Sequence, residues 1–173
     1  MQAINWTLRI LGLIFLILFQ VLVLSKLNVS IYVHPYVYPM FLILLPFDTP
    51  RWLNLIVAFL VGLTIDMFTN TYGMHAAASV FIAFARPRMI KVFTPITGYE
   101  GVNAPSISEL GIIWYTFFTA TMILLHHTVY FMISIFWTQN FSFVLLEILM
   151  STLFSTLLIV ILAFLFANRK RRL

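Results

Sequence analysis

Asp66, His75, His126, His127 and Glu147 are side chains of this 173-residue sequence with chemistry beyond packing, and each lies in an otherwise largely apolar stretch. Imidazole and carboxylate groups ligate zinc and activate water, so metal-dependent hydrolysis is the first reaction class to weigh. The spacing opposes it. No H-E-x-x-H helix occurs, and the adjacent His126 and His127 point about 100° apart on a helix, away from a common ion. Serine chemistry lacks its G-x-S-x-G elbow. With no cysteine, there is neither a thiolate nor a disulfide framework. Asp66, His126 and Glu147 could form a proton or ion relay, since ionisable groups inside a membrane often mark one. The inner halves of their segments, however, carry no acid to continue it. The sequence therefore predicts a hydrogen-bonded structural cluster, with no enzymatic activity, catalytic residue, cofactor or metal.

The segments that must position these residues read as membrane spans. Hydrophobic residues make up 62% of the chain and charged residues 9%, with a mean hydropathy of +1.05, far from the composition of a soluble domain. A bilayer core of about 30 Å takes about 20 helical residues. Six runs qualify, at about 7–25, 31–47, 52–70, 74–93, 109–136 and 143–167, within a single transmembrane domain over residues 1–173. The first has no basic cluster ahead of it and no small-x-small cleavage site, so it reads as a retained span. In the second, Pro35 and Pro39 each remove a backbone donor, which predicts an irregular first half covered by protein and a helix over about Met40 to Phe47. The long loop at about 94–108 contains Ser106-x-x-Glu109, a capping box expected to open the fifth helix.

Basic residues are retained on the cytoplasmic side. With both termini there, that side receives Arg9, Arg51, Arg86, Arg88, Lys91, Arg169, Lys170, Arg171 and Arg172, and only Lys26 is left outside. Arg86, Arg88 and Lys91 together with Arg169 to Arg172 are expected to form a cytoplasmic basic face, the terminal run acting as a stop-transfer anchor that attracts anionic lipid. The net charge of +5 is then a matter of topology, and no nucleic-acid partner is expected. Trp6, Trp52 and Trp114 mark the inner interface, and Tyr32, Tyr72 and Trp137 the outer one.

On helices of this register, Gly62, Asp66, Thr69 and Asn70 share one face of the third span. His75, Ala76, Ser79 and Ala83 share one of the fourth. Thr116, Thr119, His126, His127 and Tyr130 do so in the fifth, and Glu147, Ser151 and Ser155 in the sixth. Small residues let helices approach and polar ones bond across the contact, so these four faces are expected to meet. Gly62, Asp66, Asn70, Gly73, His75, His126 and Glu147 are then a polar bundle interior, structural or partner-related, with Asp66, His75 and Glu147 near the outer end. The first span carries only Gln20 as a deep polar residue and is expected at the periphery, facing lipid or another protein's helix. The alternative reading is a small-molecule binding or transport subunit whose pocket opens outward near Asp66, His75 and Glu147.

The order YPMFLILLPFDTPRW, then FLVGLTIDMFTNTYGMHAAASVFIAFARPR, then a basic tail after six spans, resembles the bacterial rod shape-determining MreD family, particularly its Bacteroidota-type form. The likeness is most specific over about Tyr38 to Arg88, where Gly62 and Asp66 match the family's Gly-x-x-x-Asp and Gly73 the following turn. It implies a non-enzymatic multi-pass subunit of the inner (cytoplasmic) membrane. Such a subunit belongs to the cell-elongation machinery that builds side-wall peptidoglycan. The partners it implies are MreC, the cytoskeletal MreB and the elongation glycosyltransferase and transpeptidase pair. The architecture it implies is a six-span all-α bundle similar to the substrate-binding subunits of energy-coupling-factor transporters, a likeness of fold that does not carry function.

Overall fold

The computed structural model describes residues 6–27, 30–138 and 141–167. Arg169, Lys170, Arg171 and Arg172 lie outside the described residues, as do the side chains of Trp6 and Trp137. The elements in chain order are α1 (Trp6–Leu22), a 3-10 turn (Leu24–Lys26), α2 (Met40–Ile43), α3 (Arg51–Thr69), α4 (Met74–Val92), α5 (Ile107–Leu110), α6 (Ile112–Thr138) and α7 (Phe141–Ala167). The fold is all-helical. Four helical stretches are long and apolar enough to cross a membrane: Thr7–Lys26, Arg51–Thr69, Ile112–Phe136 and Phe141–Leu165. Their outward faces carry exposed Leu, Ile and Phe, such as Leu18, Phe59, Phe117 and Leu153, as a lipid solvent requires.

The fourth expected span, α4, is long enough, at about 28 Å, but falls outside that apolar set. It packs between α3 and α6 and buries His75, Ala76, Ala78, Ser79, Ile82, Ala83, Ala85 and Arg86. An inner helix is solvated by its neighbours, so its sequence is small and polar. Pro87 lies within it, and a proline leaves the carbonyl four residues back without its donor. The orphan is Ala83, whose carbonyl accepts from the side-chain amide of Asn54 on α3 at 3.4 Å.

The second expected span contains only one helical turn, α2. The preceding backbone is irregular, with turns at residues 31–32 and 38–39, and polar groups between them are satisfied by side chains from two helices. Ser151 and Ser155 of α7 accept the N–H groups of His34 and Tyr36, each at 2.9 Å. Four helical residues rise about 6 Å, so one turn of α7 spans the two-residue step from His34 to Tyr36. From the other side, Gln20 donates to the Pro35 carbonyl (3.0 Å) and accepts the Val37 N–H (2.9 Å). Alternate residues thus bond to α7 and to α1, which is how an irregular segment is tolerated inside an apolar bundle. Arg9, eleven residues before Gln20, donates to the Leu44 carbonyl, so this segment runs back along α1 for about 16 Å.

At the opposite junction, the expected fifth helix divides. Ser106 does cap a helix, accepting the Glu109 N–H at 3.3 Å, but that helix is the single turn α5, ended by Gly111 at φ +81°. The long helix begins at Ile112 instead of residue 109, because the left-handed glycine interrupts the register.

Candidate functional site

Asp66 sits in the last turn of α3, and its carboxylate is bound to the start of α4. Oδ1 accepts the His75 N–H at 3.0 Å and Oδ2 the Ala76 N–H at 2.8 Å. The Thr71 hydroxyl donates to Oδ1 at 2.5 Å. The first N–H groups of a helix have no partner within it, and they carry the positive end of the helix dipole. One carboxylate from the neighbouring helix answers both needs. A side chain at Gly62, one turn earlier, would bring its Cβ within 2.5 Å of the Ala76 Cα and 2.6 Å of the His75 carbonyl oxygen. Gly62 lets the two backbones touch, and Asp66 bonds them where they do. The turn between them needs left-handed backbone at Asn70, Tyr72 and Gly73.

A second cluster centres on Tyr38, from the turn just before α2. Its hydroxyl lies 2.6 Å from His126 Nε2, 3.1 Å from His75 Nδ1 and 3.2 Å from Ser79 Oγ, all buried. A phenol donates one hydrogen bond and accepts up to two, so three neighbours use its full capacity. Beside it, His127 Nδ1 donates to the Ile123 carbonyl at 2.8 Å, which leaves Nε2 as the acceptor facing Ser155 at 3.4 Å. The Ser155 hydroxyl, already accepting from Tyr36, supplies that proton. The ring of Tyr36 stacks on His127 at 5.3 Å.

Most of the residues singled out in the sequence are buried in these contacts: Gly62, Asp66, His75, Ser79, His126, His127, Ser151 and Ser155. Three differ from expectation. Asn70 is exposed and caps α3 in the left-handed region, so it is a turn residue and not part of the interior. Glu147 is buried but turns to His34, with Oε1 3.3 Å from Nε2, and shares no hydrogen-bond partner with Asp66 among the described residues. Arg86 does not lie on a basic face. It is 3% exposed and donates to the carbonyls of Ile43, Leu45 and Pro46, just where α2 unwinds and frees them. Arg88 and Lys91 are exposed, as expected.

Sequence reasoning missed Tyr38 and the paired role of Gln20. A signal for Tyr38 was present: a tyrosine between two prolines in a buried segment must find a partner for its hydroxyl. The end of the bundle where α3 passes into α4 holds a cavity of about 160 Å³ with His34, Tyr36, Thr69, Thr71, His75 and Tyr130 in its walls, where drug-sized ligand pockets run from about 300 Å³. Among the described residues, no group of three or more metal-ligating side chains converges.

Taken together, the fold and this interior define an all-helical chain with four helices long and apolar enough to cross a membrane, whose buried polar groups join helix to helix. Comparison with protein-family models, curated proteins and solved structures finds no match for this chain.

Proposed function

We propose that this chain is a non-enzymatic scaffold of the bacterial inner membrane, acting in side-wall elongation as the MreD-family resemblance implies. In this reading it crosses the membrane six times with both termini in the cytoplasm, and it receives the transmembrane helix of MreC on the apolar flank built by α1. The observation that carries the reading is the use of Asp66: both carboxylate oxygens accept hydrogen bonds from the start of α4, and Oδ1 a further one from Thr71, so the buried acid is engaged in joining α3 to α4. Six crossings are supported by the return of residues 30–47 along α1 and by the length of α4. The stretch that carries the resemblance, Tyr38 to Arg88, also supplies the Tyr38 hub, the Gly62–Asp66 contact and the Arg86 anchor.

The size of the cavity beside His75, about 160 Å³, weighs against the small-molecule subunit. Co-purification from mild detergent tests the proposal. MreC should be retained by the wild-type chain and lost when Leu11, Phe15 and Leu18, exposed on α1, are changed together to alanine. No retention of MreC, with both proteins folded and expressed, would contradict the scaffold. Uptake of a solute that depends on the His75 end of the bundle would favour the transport subunit.

A further inference from the structure

Where the start of α3 meets the end of α4, Arg51, Arg88 and Lys91 line one open cleft of about 310 Å³. Its remaining walls are Leu55, Ala83, Phe84 and Pro87. Three cations facing one space repel each other unless an anion joins them. Among the described residues, none of the three has a carboxylate within salt-bridge distance, and the ion pair found is His34–Glu147, at the far end of the bundle. The Arg88 guanidinium carbon stands 5.3 Å over the ring of Phe84, a contact with a π face that leaves its hydrogen-bond donors unused by any carboxylate among the described residues.

The surface leading away from the cleft is apolar. On α4, Ala77, Phe81 and Phe84 precede Arg88 at spacings of four, three and four residues, which places them in one exposed stripe. On α3, the half-buried Leu55 and the exposed Phe59 follow Arg51 at spacings of four residues. A small free anion would answer the charges and leave this stripe unused. An amphiphile with an anionic head and an apolar body matches both.

We infer that this cleft binds the phosphodiester headgroup of an anionic phospholipid, with the acyl chains lying along Phe84, Phe81 and Phe59. The inference rests on the membrane reading and is independent of any protein partner.

Native mass spectrometry of the full chain, titrated with phosphatidylglycerol, phosphatidylcholine or inorganic phosphate, tests it. Phosphatidylglycerol adducts should persist under activation that strips phosphatidylcholine. Arg88→Gln and Lys91→Gln should each weaken phosphatidylglycerol binding by about five-fold, while Lys26→Gln, a cation at the opposite end, leaves it unchanged. Equal retention of the two lipids, or indifference to both cleft variants, would overturn the site. Displacement of phosphatidylglycerol by millimolar inorganic phosphate would overturn the lipid assignment in favour of a soluble phosphate. If either variant loses its helical circular dichroism, a photoactivatable phosphatidylglycerol on the wild-type chain decides: labelling of Phe81 to Lys91 supports the site, and labelling confined elsewhere contradicts it.

Discussion

Ala76 is held by α3 in two ways at once: its N–H donates to Asp66 Oδ2 at 2.8 Å, and its Cα lies where a side chain at Gly62 would have to go. The Gly-x-x-x-Asp spacing is therefore a single device. The glycine sets the distance between two helix backbones and the carboxylate, one turn on, closes the helix end that this distance brings near.

Gly62→Ala should be among the most damaging single-methyl changes in the chain. Its Cβ would meet backbone, which cannot rotate away, so the loss should reach or exceed the upper end of the about 1–3 kcal/mol usual for overpacking. Gly12→Ala is the control, since nothing lies within 4 Å of the added carbon. It should be neutral or stabilise α1 by about 0.5–1 kcal/mol through helix propensity. Unfolding midpoints in detergent for the two variants give the comparison.

Tyr38→Phe removes the hydroxyl shared by His75, Ser79 and His126 while keeping the ring. It should cost about 1–3 kcal/mol, because buried imidazole nitrogens are left without a partner. Thermal unfolding in nanodiscs measures it, and a midpoint equal to that of the wild type would remove the hub from the account.

The neighbouring arginines Arg86 and Arg88 should behave in opposite ways. Arg86→Lys should destabilise, since an ammonium cannot span three carbonyls as the planar guanidinium does, with about 1.5–3 kcal/mol at stake for each charged hydrogen bond lost. Arg88→Gln should change stability by less than about 0.5 kcal/mol, as exposed substitutions generally do. Urea or SDS unfolding of both variants separates the anchor from the surface residue.

A chain without cysteine suits accessibility labelling. Tyr72 and Ile96, both highly exposed, lie beyond opposite ends of α4. A membrane-impermeant maleimide should label Tyr72→Cys on intact cells and Ile96→Cys only after permeabilisation. Labelling of both on intact cells would mean that α4 does not cross.

Much of the core arrangement could be read from residue types. Gly62, Asp66, His75 and Ser155 announced inward faces because lipid tolerates polar groups only where helices meet, and Pro35 with Pro39 announced unwound backbone. What hid was whatever depends on contacts distant in sequence. Nothing local says that Ser151 and Ser155 stand in step with His34 and Tyr36, more than a hundred residues away. Arg86 was misplaced for a related reason. A charge bias counts which side a basic residue favours, but not whether freed carbonyls are waiting at that depth. The break at Gly111 was missed because a glycine near a helix start is ordinary until its φ is known.

The most direct test of the central claim, that intramembrane polar side chains serve to bond helices together, is the unfolding free energy of Asp66→Asn and Asp66→Leu in one bilayer-mimetic system. Asparagine keeps one acceptor oxygen for the α4 N–H groups, so it should lose about 1–2 kcal/mol, while leucine orphans two buried donors and should lose about 3–5 kcal/mol. Wild-type stability in Asp66→Leu, or equal losses in both variants, would contradict the claim.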